Sequence, residues 1–85
     1  METFTYIIKA PLGLHARPAG LLVQEAALYQ VQGTLKANHK EASLKSIIGL
    51  MSLGIKKDTE ITLSLQGEDA KEAMAALKKI ITSKL

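Results

Sequence analysis

Three stretches of this chain alternate apolar and polar residues with a period of two, and each has only one apolar side. Phe4, Tyr6 and Ile8 share one side of the first, with Thr3, Thr5 and Lys9 on the other. Val31, Gly33, Leu35 and Ala37 alternate with polar neighbours in the second, and Ile61, Leu63 and Leu65 do so in the third, "EITLSLQ". This is the pattern of a strand with one buried and one wet face. Such strands must share a sheet whose apolar face is covered by something else. At Asn38-His39 the second stretch reaches a plausible two-residue turn, in which Asn can adopt a positive φ, and "KEAS" returns as the other arm of a hairpin.

The cover has helical spacing. From Ala16 to about Leu28, the residues Ala19, Leu22, Val23 and Ala26 recur at intervals of three and four, and Pro18 falls in the first turn, where its missing donor is not needed. Gly20 weakens this helix by roughly 1 kcal/mol against Ala at an exposed interior position, so packing or the close approach of a partner would explain it. "SIIGLMSLG" makes one or two helical turns, capped by Ser46 and ended by Gly54. Asp69 and Glu72 form a start like a capping box, and Ala73, Met74, Leu77, Ile80 and Ile81 carry an apolar stripe onward. The element order is βαββαβα. It predicts an α/β (α+β) open-faced β-sandwich, a four-stranded antiparallel sheet covered on one face by three helices, with residues 1–85 as one domain. A ferredoxin-like fold has nearly the same order, and periodicity does not separate the two.

What is missing narrows the function. The chain contains no cysteine, which rules out disulfides and zinc-thiolate sites; we expect no metal and no cofactor. No stretch approaches the roughly 20 apolar residues of a membrane span, and "METFTYIIKA" lacks a basic segment followed by a long apolar run, so no membrane insertion and a cytoplasmic location are expected. The net charge of +3 comes from basic residues dispersed between Lys9 and Lys84, which suits a solvated lysine-rich surface. One Phe and two Tyr leave little for base stacking, so no direct nucleic-acid binding is expected.

Chemistry is concentrated in "PLGLHARPAG", Pro11 to Gly20. His15 sits where the first helix begins, and the first N–H groups of a helix lack partners and attract anions. A free imidazole is mostly neutral at pH 7, and the positive end of a helix favours that nucleophilic form. His15 could therefore accept a phosphoryl group, which the same N–H groups and the charge of Arg17 would hold. The plainer alternative is a surface histidine serving as an N-cap. In the second helix, Ile47, Ile48, Leu50 and Met51 are more apolar residues than one short helix buries on a single face. Leu50 is expected in the core, while Ile47, Ile48 and Met51 are expected to be exposed as a docking patch that Gly20 and Leu21 extend toward His15. The alternative is that all four are core and Ser46 is only a cap.

"GLHARPAG" together with "LKSIIGLMSLGIKK" resembles the HPr family, the histidine-containing phosphocarriers of the bacterial phosphoenolpyruvate-dependent sugar phosphotransferase system, and the similarity runs essentially from residue 1 to 85. The resemblance implies the family's βαββαβα fold and a carrier rather than an enzyme. It implies that His15 takes phosphate from phospho-Enzyme I on Nδ1 and passes it to IIA domains of sugar permeases, with Arg17 as electrostatic partner and Pro18 as the helix-start proline. It also implies that Ser46 is the regulatory serine of Gram-positive members. An ATP-dependent HPr kinase/phosphorylase modifies that serine, and the phosphoserine form serves as corepressor for a catabolite control transcription factor. The chain departs from the family pattern at Leu12, where a small polar residue is common, at Asn38-His39 in place of Asn-Gly, at Asp58 in place of glycine and at Ile48 in place of Met. His39 has no motif around it and reads as a solvated turn residue. The competing readings are a regulatory-only binding module or corepressor without carrier activity, and a basic nucleic-acid module. His15 separates the first of these from a carrier, since a regulatory-only relative is expected to replace it.

Overall fold

Each alternating stretch is a strand in the computed structural model, which describes residues 1–85. The chain runs β1 (Glu2–Ile7), α1 (Ala16–Ala26), β2 (Gln32–Ala37), β3 (Lys40–Ser43), α2 (Ile47–Met51), β4 (Glu60–Gln66) and α3 (Ala70–Lys84). The four strands form one antiparallel sheet in the order β1-β4-β2-β3. It is β4 that lies between β1 and β2, where a ferredoxin-like sheet would place its third strand, and this resolves the ambiguity left by periodicity.

The register sorts the side chains by face. Phe4 stands opposite Leu63, Leu63 opposite Leu35, and Leu35 opposite Ala42, so one row crosses the whole sheet on its apolar side. The neighbouring row, Thr5, Thr62, Lys36 and Glu41, faces water. There the Thr5 and Thr62 hydroxyls lie 3.4 Å apart and Lys36 Nζ lies 3.9 Å from Glu41 Oε2. A slip of one residue would exchange the two faces and is therefore strongly disfavoured. The hairpin turns at Asn38 (φ 53°) and His39 (φ 65°), both left-handed as a type I′ turn requires.

All three helices cover the apolar face, α3 on β1 and β4, α2 beside β3, and α1 against both other helices. One cluster of 21 buried apolar residues results, centred on Leu22, Leu35, Leu50, Leu63, Leu77 and Ile81. Met74 and the leucine of the α3 stripe belong to it, with Ile80 partly buried at its margin. Lys78 Nζ sits 5.0 Å from the centroid of the Phe4 ring, on the flank of α3.

Two local expectations are corrected. The first helix ends at Ala26, and the chain leaves it through turn bonds from Leu28 N–H to Glu25 and from Tyr29 N–H to Ala26. Leu28 is left exposed. Asp69 and Glu72 form no capping box. Asp69 holds the N-cap position, but at φ −99° and ψ 17° it lacks the extended backbone that aims a capping side chain at the helix. Its carboxylate accepts instead from the N–H of Gln30, at 2.8 Å, tying the approach to β2 to the start of α3.

Candidate functional site

The segment between β1 and α1 is seated on three sides. The N–H groups of Lys9 and Ala10 donate to the carbonyl of Leu85, and Gly13 N–H closes a turn onto Ala10 at 3.0 Å. Leu14 N–H donates to the carbonyl of Ile55 at 3.1 Å, and the Leu14 side chain enters the core. Gly13 is the only residue type that fits its place. Its φ is +65°, and a Cβ would collide with the Ile55 carbonyl oxygen and stand 2.7 Å from Lys56 Cα. Leu12, just before it, is exposed.

This seat presents His15 as the N-cap residue of α1, with extended backbone at φ −108° and ψ −174°. Its carbonyl accepts from Ala19 N–H at 3.0 Å. Its imidazole, half-buried, makes no hydrogen bond to the helix, so the plain alternative of an N-capping histidine side chain does not hold. The N–H groups of Ala16 and Arg17 have no acceptor, and Pro18, buried in the first turn, has no N–H to offer. An imidazole without a hydrogen bond, two unpaired backbone donors and the positive end of an eleven-residue helix therefore occur together within residues 15–17. The Arg17 side chain is exposed and enters no ion pair, the Lys36–Glu41 contact being the one the protein forms. The depressions of the surface lie along the open sheet face and its rim, lined by residues such as Gln32, Thr34, Lys36, Ser64 and Gln66, and His15 belongs to none of them. No three His, Cys, Asp or Glu side chains gather into a metal-binding group, and no helix is long and apolar enough to cross a membrane.

Ser46 begins α2. Its Oγ accepts from Gly49 N–H at 2.9 Å, and its carbonyl accepts from Leu50 N–H at 3.0 Å. Leu50 is fully buried, whereas Ile47, Ile48 and Met51 are 40%, 82% and 45% exposed, so the short helix keeps one apolar residue in the core and turns three outward. Gly20 and Leu21 are both half-buried on α1, and Gly20 faces Ile47. A Cβ on Gly20 would come no nearer than 4.0 Å to Ile47 Cδ1, so the packing of α1 on α2 does not itself require glycine. His15, Arg17 and the α2 patch are thus carried on two adjoining helices, with no hydrogen bond joining His15 or Arg17 to Ser46.

Two tertiary contacts of the Leu53–Ile55 segment escape the sequence patterns. The seat of Gly13 on Ile55 joins residues more than forty positions apart. Asn38, singled out for its turn conformation, also donates from Nδ2 to the carbonyls of Leu53 and Gly54, at 2.9 Å and 3.2 Å. The one local signal is that Asn, unlike Gly, brings an amide donor to the first position of such a turn.

Known proteins resemble this chain over nearly its whole length. The family model PTS-HPr, described as the PTS HPr component phosphorylation site, matches residues 2–83. The phosphocarrier protein HPr of Mycoplasma capricolum is 44% identical over 79 residues, covering 93% of this chain and 89% of that protein. Among solved structures, the mycoplasmal histidine-containing phosphocarrier protein superposes with a TM-score of 0.93 at 41% identity, over 96% of this chain and 93% of its own. HPr-C-His from Thermoanaerobacter tengcongensis does so with a TM-score of 0.91 at 43% identity, over 99% of this chain and 94% of its own.

Proposed function

The chain belongs to the HPr family, the phosphocarrier proteins of the sugar phosphotransferase system, and from that premise we propose that His15 is the residue that carries the phosphoryl group. The observation that supports this most directly is the unbonded imidazole at the N-cap of α1, beside the unpaired N–H groups of Ala16 and Arg17. Nδ1 of the neutral ring uses its lone pair to form a P–N bond as the bond between phosphorus and Enzyme I breaks. The attached group is anionic, and the two N–H groups and the unpaired Arg17 guanidinium hold it. The same steps run in reverse when the group leaves for the IIA domain of a sugar permease. A site outside any pocket suits this exchange, because donor and acceptor must each reach the phosphorus in turn. The protein is then a carrier working in the cytoplasm, and it meets proteins rather than the sugar.

Ser46 is the regulatory position in this reading. Phosphorylation there by HPr kinase/phosphorylase adds about −1.5 to −2 charges at the start of α2, next to Ile47, Ile48 and Met51, the surface on which Enzyme I and the IIA domains dock. The phosphoserine form is also the one that a catabolite control transcription factor recognises. Relay tests the carrier role: after loading with Enzyme I and phosphoenolpyruvate, addition of a IIA domain should move the label from this chain to the newcomer. A label that stays on the chain while the IIA domain remains empty contradicts the reading.

A further inference from the structure

The tip of the β2–β3 hairpin reaches across to the segment on which the His15 loop is seated. Asn38 Nδ2 donates to the carbonyls of Leu53 and Gly54, and neither carbonyl has another hydrogen-bond partner. The next peptide carbonyl, that of buried Ile55, is the one that receives Leu14 N–H and bears the bare Cα of Gly13. Downstream the same segment is held by Thr59, whose Oγ1 accepts from Lys56 N–H and whose N–H donates to Lys56, each at 3.1 Å. Asn38 therefore secures the upstream half of a strut whose middle residue supports the loop.

We infer that Asn38 is a positioning residue for His15. Its amide fixes the Leu53 and Gly54 peptide units and, through Ile55, sets where Leu14 lies and so the direction in which the imidazole leaves the start of α1. It acts through other residues and touches neither the phosphoryl group nor a partner. The inference rests on the reading of His15 as the carrier residue. Transfer between two proteins demands an aligned nitrogen, and small misplacements of a reacting atom are costly in rate.

Two substitutions isolate the amide. Asn38→Gly keeps the left-handed backbone and deletes both hydrogen bonds, while Asn38→Asp keeps the size and sets a carboxylate against two carbonyl oxygens. His39→Gly is the control, in the same turn at φ 65°, with a side chain that makes no hydrogen bond. Each folded variant is assayed for phosphorylation by Enzyme I over a range of carrier concentrations, and for hydrogen exchange of the Leu14 amide. Both Asn38 variants should lose kcat by about tenfold, keep KM within about twofold and exchange Leu14 faster, while His39→Gly behaves as the parent. Parental kcat in folded Asn38→Gly, a loss confined to KM, or an equal loss in His39→Gly would overturn the inference. Should the parent chain itself take no phosphoryl group on His15, the carrier reading fails instead. The exchange data then decide alone, and unchanged protection of Leu14 in Asn38→Gly overturns the coupling.

Discussion

Gly13 rests its Cα on the carbonyl oxygen of Ile55, at φ +65°, and the N–H of the next residue donates to that same oxygen at 3.1 Å. Any side chain at residue 13 must displace the strut or the loop. Gly13→Ala should therefore destabilise the protein by about 2 kcal/mol, since the left-handed backbone alone costs roughly 1 to 2 kcal/mol for an L-residue. That corresponds to a fall in Tm of roughly 10 °C. Gly20→Ala should do the reverse, because there a Cβ finds ordinary contact distance in a helix interior; a gain of about 0.5 to 1 kcal/mol is expected. Thermal unfolding of the two variants checks both signs.

Asp58 also holds a left-handed conformation, at φ 72°. Its N–H donates to Ile8 at 2.7 Å, a bond that any residue but proline keeps. Asp58→Gly should stabilise the fold by about 0.5 kcal/mol, the relief of backbone strain exceeding the extra freedom that glycine gives the unfolded chain. Denaturant titration should show a higher midpoint at unchanged slope, and a lower midpoint would contradict this account of the turn.

Arg17 is exposed and has no ion pair to lose. Arg17→Ala should leave Tm within about 1 °C of the parent while slowing phosphoryl transfer to and from His15 by at least tenfold, the size expected for removing a charge-assisted contact to an anion. Unchanged rates in both directions would take Arg17 out of the site.

Ser46 supplies two separable effects. Ser46→Ala removes the 2.9 Å bond to Gly49 N–H and should cost about 1 kcal/mol. Ser46→Asp keeps a capping oxygen and adds charge at the positive end of α2, so Tm should be unchanged or slightly raised. Enzyme I should nevertheless phosphorylate the Asp variant markedly more slowly, because its docking surface now presents a hydrated anion. A drop in Tm of several degrees in Ser46→Asp, or phosphorylation at the parental rate, would contradict repulsion without unfolding.

The strands were legible wherever alternation needed no partner, as in Phe4, Tyr6 and Ile8, and the turn was legible because Asn38 tolerates positive φ. Strand β3 was visible only as the return of its hairpin, since Lys40–Ser43 buries no side chain completely. Strand order was not legible, because pairs such as Thr5 with Thr62 join distant parts of the chain and local periodicity carries no such information. Asp69 was misread for a related reason: its carboxylate finds Gln30, 39 residues away, in preference to its own helix. At the site, residue type and spacing marked His15 and Arg17 as an anion-attracting helix start and Ile47, Ile48 and Met51 as exposed, whereas the carrier role of His15 and the regulatory role of Ser46 were implied by the family resemblance. The contacts of Gly13 with Ile55 and of Asn38 with Leu53 and Gly54 did not stand out, because both belong to tertiary structure.

If His15, and no other residue, takes the phosphoryl group from Enzyme I, intact mass after incubation with Enzyme I and phosphoenolpyruvate reads it out. A single phosphoryl group should be added per chain, lost in acid as a phosphoramidate is, and none should be added to His15→Ala. A phosphoryl group that persists on His15→Ala, or one on the parent chain that survives acid, would contradict it.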